Sequence, residues 1–318
     1  MKNTWADKEI EIEGAFKLQG TLSVPGNLEG KAPGVLFIHG SGPLDRDENV
    51  KNFPINLFKS LANDLAGMGF ATLRYDKRGC GESEGDFYKT GLWDLVDDAQ
   101  RALGFLKEQT EVDENKIILI GHSEGCVLAP ALNAREPVAG IVLLAGIVGG
   151  AFDASQYQMD LIFKEIKELK GLKGFFLRIL ANEDRARKTN AKIYAKIMAS
   201  EKEVYSFNGK KMSGKWFREH KNYVVDTALQ QAECPILAIT GSKDVQVKSE
   251  YARKIGEIVH SPFEYHIIED MNHLLRKQEE APSLLGLKKI YKKSLGEPID
   301  PALIGYLNKW MEQFAQGK

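Results

Sequence analysis

The chain is poor in cysteine, in long apolar runs and in net charge, and each shortage excludes a class of protein. Its three cysteines, Cys80, Cys126 and Cys234, are odd in number and far apart. That usage argues against a disulfide framework and for free thiols in a reducing compartment. No apolar run approaches the roughly 18 residues that suggest a membrane span. The opening residues, Met1 to Lys8, are polar and lead into a strand-like stretch with no apolar h-region, which speaks against a secretory signal. Lys plus Arg number 43 against 44 Asp plus Glu, a formal net charge of -1, so nothing global draws the chain to nucleic acid. Internal repeats and low-complexity tracts are also missing. The expectation is a cytoplasmic protein with no membrane span and no nucleic-acid partner; its oligomeric state is left open.

What is present is ordinary globular chemistry. The 318 residues, 43% hydrophobic and 27% charged, suffice for one large α/β domain with an insertion. Two paired strands open the chain, over Lys8 to Glu13 and Phe16 to Val24, ending at Pro25-Gly26. The texture then changes to short continuous apolar runs, the pattern of strands buried on both faces of a parallel sheet. These are Val35 to Ile38, Ala71 to Tyr75, Ile117 to Ile120, Val138 to Leu144 and Ile236 to Ile239, with a last candidate at Tyr265 to Ile268. Helical periodicity alternates with them over Ile55 to Met68 and Leu92 to Leu106. The alternation predicts an α/β fold, a mostly parallel central sheet with helices on both faces.

One region breaks the rhythm. From about Ala154 to Val225 there is no buried-strand run, only amphipathic helical segments, and a stretch so long cannot be a structureless loop. It carries 12 Lys and 4 Arg against 8 Asp plus Glu, a net of about +8, which marks a separate module. The expected division is a core of residues 1–150 and 230–318 with a helical insertion at 151–229. Most of its large apolar residues, among them Phe163, Leu172, Phe175, Phe176, Ile179, Leu180 and Ile197, are expected to form its own core and its seam to the sheet. The remainder could line an acyl pocket.

Gly121-His122-Ser123-Glu124-Gly125 fits G-x-S-x-G. The bare pattern is weak, but it follows the strand Lys116 to Ile120 and precedes apolar Val127-Leu128-Ala129. A strand-to-helix turn this tight strains the serine backbone and presents its hydroxyl above the sheet. Ser123 is therefore the candidate nucleophile. A serine needs a base. His39 and His122 sit inside motif turns, His220 in the insertion, His260 at a helix end and His266 within the last strand. His273, in Glu269-Asp270-Met271-Asn272-His273, lies just past that strand, where loops at the sheet's C-terminal edge carry function. Asp244, in Gly241-Ser242-Lys243-Asp244, stands at the same edge and supplies the acid that fixes the imidazole tautomer; Asp270 is the reserve. His39-Gly40-Ser41-Gly42-Pro43 forms an H-G-x-G turn after its strand. One oxyanion donor is assigned there to the Ser41 N–H, with Gly42 as its alternative, and the other to the Glu124 N–H.

With these parts the chain resembles the α/β-hydrolase superfamily, in its serine esterase branch. The resemblance extends to the R-G-x-G-x-S turn at Arg78 to Ser83 and to His39 to Asp47, and it covers residues 8–150 and 230–315. It implies a cap inserted after the sixth strand, an acyl-enzyme mechanism and no metal or organic cofactor. The leading expectation is a carboxylesterase acting on small acyl esters of short to medium chain, because alcohol leaving groups need less protonation than amines. An acyl-peptidase or amidase and an acyl-CoA thioesterase are the rival chemistries, and a non-catalytic ligand-binding protein is the rival class. Glu124 departs from the apolar residue common after the nucleophile. Its carboxylate would either repel anionic substrates or hold a partner such as Arg46.

Overall fold

The computed structural model describes residues 5–26, 28, 30–146, 150–207 and 209–315. The apolar runs form one eight-stranded sheet. In chain order its strands are β1 (Trp5–Ile12), β2 (Leu18–Pro25), β3 (Ala32–Ile38), β4 (Ala71–Tyr75), β5 (Val112–His122) and β6 (Gly140–Leu144). Beyond the insertion come the strands Ile236–Gly241 and Phe263–Ile268, numbered β9 and β10. They lie in the order β1-β2-β4-β3-β5-β6-β9-β10. β1 and β2 pair antiparallel, as do β2 and β4. Every pair from β4 to β10 is parallel, so the C-terminal ends of those six strands share one edge.

Alternate residues of each central strand face opposite layers, the two-residue period of a strand. Leu36, Ile38, Leu119, Ile141 and Leu143 pack with α2 (Leu92–Lys107) and α3 (Gly125–Arg135). Val35, Phe37, Ile118, Ile120 and Val142 pack on the other face, against α1 (Leu57–Gly67) and the last helix of the chain, Pro301–Met311. A strand apolar at every position is what two covered faces require.

Element ends differ from the sequence reading where a side chain competes for the backbone. The β6 ladder starts at Gly140, not Val138, because the Val138 N–H donates to Asn133 Oδ1 at 3.1 Å. Ile55 stays outside α1, where its carbonyl accepts from Arg276 Nη2 at 2.6 Å and Asn56 adopts a left-handed φ of 52°. β5 begins at Val112, five residues before the apolar run, since Val112 and Asp113 pair with Ala32 and Pro33 ahead of a register shift.

Between β6 and β9 the chain forms α4 (Gly150–Glu168), α5 (Gly171–Leu180), α6 (Glu183–Met198), β7 (Val204–Phe207), β8 (Lys210–Ser213), α7 (Gly214–Asn222) and α8 (Val225–Gln230). The antiparallel pair β7–β8 corrects the expectation of helices alone. It stands apart from the main sheet and is half exposed, so it carries no buried-strand run. A second correction concerns α5. Leu172, Phe175, Phe176, Ile179 and Leu180 are exposed, whereas Phe163 and Ile197 are buried as expected. After β9 come α9 (Tyr251–Ile255), then β10, α10 (Leu287–Ser294) and α11, the Pro301–Met311 helix named above.

Candidate active site

The turn from β5 to α3 holds Ser123 at φ 52°, a left-handed conformation that costs a non-glycine residue roughly 1–2 kcal/mol. Neighbouring backbone enforces it. A Cβ on Gly121 would sit 2.3 Å from Gly125 O, and one on Gly125 would sit 2.1 Å from Ile38 O. No side chain fits at either position, so both glycines of the motif are explained by close backbone approach. The Ser123 N–H donates to Leu144 O at 2.9 Å, and the side chain reaches a cavity of about 130 Å³.

Asp244 follows β9 and His273 follows β10, so both stand at the strand edge that carries Ser123. His273 Nδ1 lies 2.7 Å from Asp244 Oδ2, with both residues buried. The other carboxylate oxygen, Oδ1, accepts from Gln246 N at 2.8 Å and Val247 N at 3.1 Å. A carboxylate on Nδ1 selects the tautomer with its proton there and leaves Nε2 basic. Among the described residues the Ser123 hydroxyl carries no hydrogen bond; such bonds are often long in a free enzyme and tighten around substrate. Asp270, the reserve acid, pairs instead with Lys243 at 2.8 Å. His266 stacks on Tyr306 and contacts Glu264.

Behind these residues lies a second buried pair that motif reading did not single out. His122 Nδ1 is 2.6 Å from Glu48 Oε2, and His122 Nε2 is 3.0 Å from His273 O. Burial opposes both charges, yet each partner's field prevails: Glu48 is held below the usual carboxylate value and His122 above the usual imidazole one. His39, enclosed by Phe58 and Tyr75, has no such partner among the described residues. Burial, with help from Lys77, lowers it to about 4.

The loop after β3 is held from two sides. The Gly40 N–H donates to Glu48 Oε1 at 2.6 Å, and Gly40 O accepts from Lys77 Nζ at 2.6 Å. The Gly40 N–H is thereby occupied, whereas the N–H groups of Ser41 and Glu124 have no acceptor among the described residues. Ser41, Ser123 and Glu124 line the same cavity.

The Glu124 side chain turns away from Arg46. Arg46 pairs with Asp76 at 2.8 Å and also with Glu82 and Glu9. Glu124 instead receives Lys77 Nζ on Oε2 at 3.2 Å, and its Oε1 takes the Trp216 indole N–H and lies 3.1 Å from His220 Nε2. Burial raises the Glu124 pKa, but Lys77 and His220 outweigh it and hold the carboxyl at about 2. Trp216 and His220 belong to α7, so this carboxylate ties the insertion to the turn that holds Ser123. Gln158 of α4 adds a second tie, donating to Gln246 O at 2.9 Å. Among the described residues no cluster of three or more His, Cys, Asp or Glu is arranged to hold a metal ion, and no helix is long and apolar enough to cross a membrane.

Known proteins give this geometry a setting. Esterase EstD of Thermotoga maritima is 33% identical over 142 residues, 45% of this chain and 32% of EstD. An uncharacterized protein of Mycobacterium tuberculosis is 31% identical over 137 residues, 43% of this chain and 44% of that protein. The matched stretch thus spans about a third of EstD and under half of the mycobacterial protein. Among solved structures, Est1E from Butyrivibrio proteoclasticus with ferulic acid bound gives a TM-score of 0.60 at 18% identity, covering 95% of this chain and 99% of Est1E. Alpha/beta hydrolase domain-containing protein 10 from mouse gives 0.61 at 16%, covering 98% and 100%. At these identities the two structures speak for the fold. The match that reaches further is to the family described as serine aminopeptidase, S33, over residues 54–280; it runs from the approach to α1 past His273, and on it the chain belongs to that family of α/β-hydrolase serine hydrolases.

Proposed function

We propose that the protein is a carboxylesterase that cleaves small acyl esters through an acyl-enzyme on Ser123. The Ser123 oxygen attacks the ester carbonyl as His273 Nε2 takes its proton, and Asp244 stabilises the resulting imidazolium. The N–H groups of Ser41 and Glu124 receive the tetrahedral oxyanion. His273 returns the proton to the departing alcohol, then takes one from the water that releases the acid. Residues 1–150 and 230–318 form the catalytic core in this reading, and 151–229 a cap over it. The chemistry requires no metal or organic cofactor.

One observation carries the ester reading over the peptidase reading that the family description favours. An aminopeptidase must neutralise the substrate's ammonium, and among the described residues the one carboxylate lining the Ser123 cavity is Glu124. Both of its oxygens are already committed, to Lys77, Trp216 and His220. EstD is an esterase and Est1E holds ferulic acid, which points the same way. The cavity of about 130 Å³ is below the roughly 300–1,000 Å³ of drug-sized sites, in keeping with short acyl groups. A panel of p-nitrophenyl esters, aminoacyl-anilides and acyl-CoA thioesters tests this. The expected result is turnover of acetate and butyrate esters, with kcat/KM falling for long chains and no anilide cleavage. Higher kcat/KM on aminoacyl-anilides or on acyl-CoA would overturn the assignment in favour of that chemistry.

A further inference from the structure

Lys77 lies just past β4, outside every motif that points to the active site. Its side chain is 2% exposed, and a buried ammonium is costly unless its three N–H groups find acceptors. Those acceptors are Gly40 O at 2.6 Å, Gly42 O at 3.4 Å and Glu124 Oε2 at 3.2 Å. Two of them are carbonyls of the loop that carries the Ser41 N–H.

The consequence follows from peptide geometry. In a planar trans peptide the C=O of one residue and the N–H of the next point in opposite directions. Drawing Gly40 O onto Lys77 therefore turns the Ser41 N–H the other way. Ser41 lines the cavity that Ser123 enters, and Glu48 fixes the preceding N–H at 2.6 Å. Lys77 alone would leave a positive charge under the oxyanion site. Glu124 neutralises it and passes the restraint to α7 through the stacked rings of Trp216 and His220, whose centroids are 4.1 Å apart.

We propose that Lys77 is a positioning residue that aims the Ser41 N–H at the reacting carbonyl, and that Glu124 is its counter-charge, coupling the oxyanion loop to the helix of the insertion that roofs it. This inference rests on the serine-hydrolase reading of Ser123.

The full chain and Lys77→Met are compared by fluorophosphonate titration of active sites and then by kcat and KM on p-nitrophenyl acetate. Per titrated site, kcat falls about 10- to 100-fold with KM changed less than about threefold, because a misdirected donor is missed in the transition state and not in the ground state. A residue that merely held the fold together would reduce the number of titrated sites and leave kcat per site intact. Should Lys77→Met strand the buried Glu124 charge and unfold the chain, Lys77→Met/Glu124→Gln removes both charges and must show the same loss of kcat. In a wild type that labels, unchanged kcat per site in the folded variant overturns the inference alone. A wild type that does not label overturns the serine-hydrolase reading, and the inference with it.

Discussion

His39 and Glu124 show how single buried groups set the pH response of this site. The folded-state value of His39, about 4, lies below its ordinary 6.5. The folded state thus binds fewer protons between those values, so stability is fully present above pH 6.5 and is lost as pH falls through about 4. Glu124, held at about 2 against an ordinary 4.5, contributes stability above pH 4.5 that disappears as pH falls towards 2. His122 runs the other way: its raised value gives a contribution that is whole below 6.5 and is lost as pH climbs past 6.5 through the raised folded-state value. The melting temperature is therefore expected to decline from pH 6.5 to 4, and His39→Gln to flatten that decline. Circular dichroism melts across this range check it; equal slopes in wild type and variant would contradict the role given to His39. Legibility at this scale was uneven. That Ser123, Asp244 and His273 stand at one edge of the sheet could be read, because each comes just after a stretch with a strand pattern. The contacts of Lys77, Glu48, Trp216 and His220 could not, since they depend on partners far away in the chain, 92 positions for Trp216 and Glu124, and on burial that no local pattern reveals.

Among elements, the informative contact is between the insertion and α2. Glu219 of α7 accepts the Trp93 N–H at 3.0 Å, capping the start of α2 from 126 positions away. Lys215 pairs with Asp94, and Ser213 Oγ donates to Thr90 O at 2.8 Å. Loss of a helix-capping acceptor typically costs about 1 kcal/mol. Glu219→Ala is accordingly expected to lower unfolding free energy by about that amount in urea titrations; no change in midpoint would show that this contact does not support α2. The central strands were legible because burial on both faces leaves them uniformly apolar. β7 and β8 were not, being half exposed, and neither was the exposed apolar surface of α5. Composition marks such residues as apolar without saying which face of a helix meets a partner.

At the scale of the molecule, six parallel strands between two apolar layers bring the ends of β3, β5, β9 and β10 to one edge, where the loops carrying Ser41, Ser123, Asp244 and His273 emerge. Alternating strand and helix patterns foretold the class of fold. They did not foretell the strand order, which depends on crossovers that bring β3 between β4 and β5. The S33 family match and the strained turn at Ser123 converge on one claim, that this edge holds an activated serine. The direct measurement is treatment with a fluorophosphonate and location of the adduct by mass spectrometry, with Ser123→Ala as control. A single adduct on Ser123 that the variant loses is expected. A folded wild-type protein that remains unlabelled, with the reagent shown to reach the cavity, would contradict it.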